Sequence, residues 1–340
     1  MELVPKYTES KNFYEGLHDI LKRPKREAYK PDNRIVVNLA KYMVDTFNGF
    51  FNGIPCKETH ENEKINQLLS DFGRRNDLDN HESELAKMTS IYGHAFEYMY
   101  QDDNAQTSII YNSPLDMFIV YDDSIQQEPL FAVRYYFDDN QRLQGELTTL
   151  THRLKLFEDD KGKIVIDEPN NNINSPDHNA LYYDGLTVVE YIENEERMSL
   201  FESVKSMMNA LNNAISAKAD DVDYFADAYL VILGALLDED TIRDFRANRT
   251  INMEGGDINK LVIEFLEKPS SDETQENLIN RLLDLIFTTA MVINMQDEKF
   301  GAAAGIALEN KRQPMDNLAK MKERKFQSSM AMRYKMLFAN

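Results

Sequence analysis

Apolar positions along the chain recur first at helical spacing. After Asp32-Asn33-Arg34, residues Ile35, Leu39, Met43 and Phe47 stand four apart. That spacing predicts a buried helix, closed by the turn-forming pairs Asn48-Gly49 and Asn52-Gly53. A second helix is expected from Asp79–Glu82, after the polar run Asn76-Asp77-Leu78-Asp79. It carries Leu85, Met88, Ile91, Tyr92 and Phe96 inward. Residues 1–30 are polar, with basic patches at Lys22, Arg23, Lys25 and Arg26, and read as an arm or lead-in helix.

In the middle of the chain the period shortens. Ile109–Tyr111, Met117–Tyr121, Phe131–Phe137, Thr149–Phe157 and Lys163–Ile166 are short, rich in β-branched and aromatic residues, and separated by polar turns. This is the pattern of antiparallel strands with one solvated face. Asp159–Gly162 suits a hairpin turn, and the Asn-dominated stretch Pro169–Pro176 a loop. Residues 1–192 are therefore expected to form one α+β domain.

Helical spacing returns after Tyr191. Ser199 and Glu202 stand three apart, as in a capping box. A heptad stripe follows through Phe201, Val204, Met208, Leu211, Ile215, Val222, Phe225, Tyr229 and Ile232, interrupted by Lys218. Residues 235–268 read as a small excursion: a short helix over Glu239–Arg246, then strands over Arg249–Met253 and Lys260–Phe265 around Gly255-Gly256-Asp257. A second long helix begins at Ser270, with Glu273 in capping-box spacing, and its apolar face includes Ile279, Leu282, Leu283, Ile286, Ala290 and Ile293. It is expected to stop at Asn294. A loop ending in small residues follows, and then a third helix over Ile306–Phe338 that Pro314 either kinks or forces to restart.

Composition narrows the function. The chain has 340 residues, 42% of them hydrophobic, enough for a sizeable core. Its formal net charge is −20, with 38 Lys+Arg against 58 Asp+Glu. Tight sequence-specific DNA binding usually leaves a basic footprint, so this charge argues against it; a surface past which DNA slides without sticking remains compatible. One cysteine, Cys56, permits no intrachain disulfide. The N-terminus lacks the basic-then-apolar run of a secretion signal. The longest apolar stretch, Ala228–Leu237, falls well short of the ~20 residues that span a bilayer. A soluble, reduced protein without membrane association is expected.

Catalytic signatures are missing. The sequence has neither a Gly-x-x-x-x-Gly-Lys nor a Gly-x-Gly-x-x-Gly loop, and no Gly-x-Ser-x-Gly elbow. His81-Glu82-Ser83-Glu84-Leu85 opens like a zinc-protease helix but has Leu where the second ligand must stand. The six histidines show no metal spacing. Asp220, Asp221, Asp223 and Asp227 offer carboxylates to a divalent ion, which keeps a metal-dependent nucleic-acid-processing enzyme as the alternative function. The plainer reading of that set is a solvated helix face, because no glycine turn or bidentate Glu completes a calcium loop. Gly301 and Gly305 are spaced Gly-x-x-x-Gly, but charged flanks make the pair a flexible turn. From Glu309 to Lys335 eight basic residues oppose three acidic ones, a local excess of +5. Lys311, Arg312, Lys320, Lys322, Arg324 and Lys325 are candidate phosphate contacts; a solvated face paired to acidic neighbours fits the same residues.

The order of parts resembles the portal proteins of long-tailed bacteriophages of Gram-positive hosts. The matching stretches are Asn33-Arg34-Ile35-Val36-Val37-Asn38 with Phe47–Pro55, Ser90-Ile91-Tyr92-Gly93-His94-Ala95-Phe96-Glu97, and Val120-Tyr121-Asp122-Asp123. Further along stand Val189-Glu190-Tyr191 with Asn194-Glu195-Glu196-Arg197, Phe300-Gly301 with Gly305-Ile306-Ala307-Leu308, and Lys322-Glu323-Arg324-Lys325-Phe326. Thr187 stands where the family motif often has Pro, and Ala304 where a serine usually precedes Gly305.

The resemblance implies an α+β portal fold: an α/β wing over 1–200, a stem helix over 201–234, and a small α/β clip over 235–269. A second stem helix over 270–294, a tunnel loop over 295–305 and a kinked long helix over 306–340 complete it. It implies a DNA channel lined by Met295, Gln296, Asp297, Glu298, Lys299, Phe300, Gly301 and Gly305. Terminase would dock on the clip at Asp244, Arg246, Arg249, Glu254 and Asp257. Family members form a non-enzymatic dodecameric ring at one capsid vertex, without cofactor or metal. They pass double-stranded DNA irrespective of sequence, and bind the terminase large subunit, head-completion or adaptor proteins, and the major capsid and scaffolding proteins. Such a subunit is assembled in the host cytoplasm and ends in the virion. Family chains usually continue beyond the long helix into a crown, whereas this sequence ends at Asn340, as a short variant or a truncated chain would.

Overall fold

The computed structural model describes residues 3–27, 30–102, 104–171, 180–226, 230–233, 262–265, 272–295 and 305–339. It has helices and sheets in an α+β arrangement, and divides into two compact units. The first comprises Met1–His18, Val37–Met208 and Asp284–Asn340, the second Asp19–Val36 and Asn209–Leu283.

In the first unit, α1 (Val4–Glu15) precedes α2 (Leu39–Phe51). α2 starts later than its apolar spacing suggests. Asn38 caps it, its side chain accepting from Lys41 N at 3.0 Å, and Ile35 lies ahead of the cap. α3 (Glu63–Arg75) is an addition that the apolar spacing did not announce. α4 (Leu78–Tyr92) ends at Gly93, whose φ of 89° is left-handed. The chain therefore leaves the helix before Phe96, which sits in β1 (His94–Gln101) instead of on the predicted helix.

β1 is the centre of a three-stranded antiparallel sheet, between β2 (Thr107–Asn112) and β8 (Val188–Ile192). Its first six residues are all buried because both of its faces are covered. On one face Ala95 and Met99 join Leu85, Ala86, Val189, Tyr191 and Phe326 in the main core. On the other, Phe96 and Tyr98 pack with Val188, Leu186, Met117 and Ala132.

Met117 and Ala132 belong to a second, five-stranded sheet, a meander of β3 (Met117–Tyr121), β4 (Pro129–Phe137), β5 (Leu143–Thr149), β6 (Arg153–Glu158) and β7 (Ile164–Ile166). The expected strand over Thr149–Phe157 is in fact the end of β5, a turn and β6. Thr149 makes that turn, its N donating to His152 O at 2.8 Å and its Oγ1 accepting from His152 N at 3.0 Å. The β6–β7 hairpin turns at Asp159–Gly162, as its sequence suggests, with Gly162 at φ 74°. The register places Phe118, Val133, Leu147 and Leu154 in one row across four strands. Tyr135, Gly145, Leu156 and Ile166 form a second row on the same face. The opposite face mixes Met117 and Ala132 with Arg134, Glu146 and Lys155. α5 (Glu168–Asn171) follows β7; the rest of the predicted loop to Pro176 lies outside the described residues.

α6 (Lys205–Ala226) follows a short 3-10 turn at Glu202–Val204, where Ser199 Oγ bonds to Glu202 Oε2 at 3.0 Å. The heptad stripe predicted a longer helix. The chain instead enters β9 (Leu230–Leu233), which pairs antiparallel with β10 (Val262–Phe265), so Ile232 is a strand residue. The predicted helix over Glu239–Arg246, strand over Arg249–Met253 and turn at Gly255-Gly256-Asp257 lie outside the described residues. α7 (Asp272–Ala290) ends four residues before Asn294, at Met291 with φ 58°. α8 (Gly305–Ala339) runs through Pro314 without restarting, at the cost of the one backbone hydrogen bond that proline cannot donate. No helix among the described residues is long and apolar enough to cross a membrane.

Candidate functional site

The sequence points to the passage from α7 to α8. Met295, the first residue of the expected tunnel loop, is exposed, and its N donates to Tyr42 Oη at 3.0 Å. Tyr42 stands edge-on to Phe287 of α7, so α2 fixes where this passage starts. Gln296, Asp297, Glu298, Lys299, Phe300 and Gly301 lie outside the described residues, as do Asp244, Arg246, Arg249, Glu254 and Asp257. Gly305 opens α8.

α8 divides its basic residues between surface and core. Lys311, Arg312, Lys320 and Arg324 are exposed; Arg312 pairs with Asp316 at 3.2 Å. Lys325 is partly covered and pairs with Glu195. Lys322 corrects the expectation of a phosphate contact. It is 1% exposed and its Nζ is held by Glu193 at 2.6 Å, Ser90 Oγ at 2.8 Å and Ala86 O at 2.9 Å. The rings of Phe47, Phe51 and Phe326 surround it at 5.1–5.5 Å. Burial pulls its ammonium below the usual lysine range, against the pull of Glu193.

Arg333, three turns further on, is fully buried. It grips Glu97 through Nε at 2.9 and 3.0 Å and Nη2 at 2.6 Å, while Nη1 meets Glu82 at 2.5 Å. Burial alone would push the Glu97 carboxyl up; Arg333 and the 2.8 Å bond to His81 outweigh it and hold the group at about 2. Two hydrogen-bonded charge pairs thus fix the rotation and the axial register of α8 against α4 and β1.

A third cluster lies on the other side of β8. Glu190 accepts both arms of Arg197 at 2.7 Å, bonds His94 Nδ1 at 2.6 Å and accepts from Tyr121 Oη at 2.7 Å. Burial opposes the charge, yet Arg197 and His94 draw this carboxyl down to about 2. His94 Nε2 continues the chain to Tyr7 Oη at 2.8 Å, which ties α1 to the sheets. Ser329 Oγ of α8 donates to Glu190 O at 2.7 Å. The clusters draw on Ser90, His94, Glu97, Glu190, Arg197, Lys322 and Phe326, residues from stretches that lie far apart in sequence and carry the portal resemblance.

The carboxylates offered for metal chemistry are engaged elsewhere. Within the second unit, Asp220 is 6% exposed and accepts from Arg26 Nη1 and Asn33 N, each at 2.7 Å. Asp223 accepts from Asn33 Nδ2 at 2.6 Å and Asp221 from Gln275 at 2.9 Å. They bind Arg26, Asn33 and α7 to α6, so Asp220 departs from the solvated face that was expected. Asp227 lies outside the described residues. Among the described residues no group of His, Cys, Asp and Glu has the geometry to hold a metal ion.

A family model described as phage portal protein, SPP1 Gp6-like, matches residues 2–340. The chain belongs to this portal family. A protein named Portal protein from Bacillus phage SPP1 is 25% identical over 320 residues, covering 88% of this chain and 61% of that relative. The chain therefore spans about three-fifths of the relative's length. The portal family is a structural, non-enzymatic family of bacteriophages. Seen as a portal fold, the buried charges of α8 are framework, and the exposed basic residues are what the helix presents outward.

Proposed function

We propose that the chain is a portal subunit, one of a ring of twelve at a single capsid vertex. Double-stranded DNA is packaged and ejected through this ring irrespective of sequence. The observation that carries this reading is the match of a portal family model to residues 2–340. Residues 1–200 are assigned to the wing, 201–234 and 270–294 to stem helices, 235–269 to the clip, 295–305 to the tunnel loop and 306–340 to the long helix. The clip, through Asp244, Arg246, Arg249, Glu254 and Asp257, docks the terminase large subunit and later an adaptor protein. The wing meets major capsid and scaffolding proteins. Assembly takes place in the host cytoplasm, the product is a virion component, and the chain itself catalyses nothing.

The physics supports a conduit. A duplex must move through it, so contacts must be weak and sequence-blind, and a chain of net −20 does not grip phosphates. On α8, Lys311, Arg312, Lys320 and Arg324 are exposed and supply sparse positive charge; Lys322 is withdrawn from that set by its burial. α8 is held by Lys322 and Arg333, so the tunnel loop hangs from a helix whose register is fixed. Images of the purified protein decide the matter: rings with a central channel wide enough for a duplex are expected, and a strictly monomeric protein at all concentrations would refute the proposal.

A further inference from the structure

The five-stranded sheet has an anomaly of polarity. Its β3–β4 edge packs its mixed face on the three-stranded sheet, through Met117 and Ala132. Further along, β5 and β6 turn Gln144, Glu146 and Lys155 to that same side. The outer side is the apolar one. The row Phe118, Val133, Leu147 and Leu154 lies there, and none of the four is buried. Phe118, Phe137, Ile164 and Ile166 of this side are 43%, 62%, 43% and 42% exposed. Its one charged strand residue, Glu158, sits at the rim and accepts from Leu143 N at 3.0 Å. A sheet with one solvated face normally turns its polar residues to water. Here the strands spend their apolar residues on the open side.

We propose that this outer face is where the next copy of the chain docks, as a repeating contact around the ring; the proposal rests on the ring reading above. Two features select a second copy. The first is charge: each copy carries −20, and two copies approach most easily across a surface that is almost free of carboxylates. A basic partner would find only Glu158, at the rim, as counter-charge. The second is area. Five strands about 4.8 Å apart and about five residues deep give roughly 400 Å². That is about half of the ~800 Å² per partner of a standard stable complex. A lone partner is poorly held by such a patch. In a closed ring each copy makes this head-to-tail contact twice, once through this face and once as the next copy's partner, so the area holding one copy doubles to about 800 Å².

The test uses the full chain with Phe118→Glu and Phe137→Glu, singly and together. Both side chains are exposed in the single subunit, so circular dichroism and the melting temperature should match the wild type. Mass photometry at one protein concentration should show the ring population reduced by at least roughly tenfold. Rings at the wild-type level in the double variant overturn the docking face and leave the ring reading standing, whereas a wild type that never assembles overturns both. Should the double variant misfold, Phe137→Cys in a Cys56→Ser background replaces it, read by maleimide labelling. Labelling that is fast in dissociated chains and at least roughly tenfold slower in rings supports the proposal. Equal rates in both states mean that the face is kept for a different partner; no labelling in either state means that the chain covers it itself. Both results overturn the proposal.

Discussion

Lys322 and Arg333 show how a charge count misleads at the level of one residue. Both add to the +5 of the last helix, and both are spent inside the protein. The signal was present in another form. Met315, Lys322, Phe326, Ser329, Arg333 and Met336 are separated by sevens, threes and fours, the spacing of one helix face, and all six are buried. Charge alone hides that face, because a basic residue at an inward position looks the same in sequence as one at an outward position until its carboxylate is located. Glu97 lies in β1 and Glu193 directly after β8, both far from α8 in sequence. Removing one member of a buried pair strands the other charge, so Arg333→Met should destabilise the fold by ~3–5 kcal/mol. Urea unfolding measures this, and a double-mutant cycle with Glu97→Gln should return a coupling of several kcal/mol; strict additivity would contradict the pairing. A pH dependence follows from the same geometry. Glu97 and Glu190 sit at about 2 in the folded chain against an ordinary 4.5. The folded state therefore binds those protons more weakly than the unfolded one. The stabilisation is complete above pH 4.5 and is lost as the pH falls toward 2. Unfolding midpoints measured downward from pH 6 should drop across that window, and less steeply in Arg333→Met.

Elements with a single solvated face were the legible ones. β3 falls on its predicted residues, and β4 and β7 match within two residues of each end, because each is a short run of β-branched and aromatic residues bounded by polar turns. Phe96 of β1 reads as part of the preceding helix because β1, covered on both sides, continues the apolar run of α4 without a polar spacer. Only Gly93 marks the change of period. A Cβ built on Gly93 would lie 2.2 Å from Arg197 O and 2.3 Å from its carbonyl carbon, on top of a left-handed φ of 89°. Backbone cannot yield there as a side-chain tip would. Gly93→Ala should thus cost at least ~2 kcal/mol. It should also loosen Arg197 from Glu190. A melting temperature unchanged from the wild type would show that the close approach is absent. The end of α6 was hidden for the opposite reason: the heptad register runs on into Ile232, although the backbone has already become strand, because tertiary pairing with β10 overrides local periodicity.

For the whole molecule, the proposed function turns on one region, the segment between α7 and α8. α7 stops at Ala290, Met295 is tied to Tyr42, and α8 resumes at Gly305 with its C-terminal part locked by Lys322 and Arg333. Described contacts to the first unit therefore stand on both sides of the passage, and on the proposed reading the segment between them is the one that meets DNA in the channel. Bulky residues inserted at Ala302–Ala304 leave those anchors, the docking face and the clip untouched. Rings of wild-type size and stability are expected from such a variant by negative-stain imaging and thermal melting. Packaged DNA, measured as nuclease-protected genome per particle, should fall sharply. The two readouts separate the roles: lost rings would make the segment part of the assembly framework, and intact rings with normal packaging would place the narrowest part of the channel elsewhere. Unlike a change at Lys322 or Arg333, the insertion lies outside the buried charge pairs of α8, so a packaging defect in intact rings would point to the proposed tunnel loop as what DNA meets on its way through.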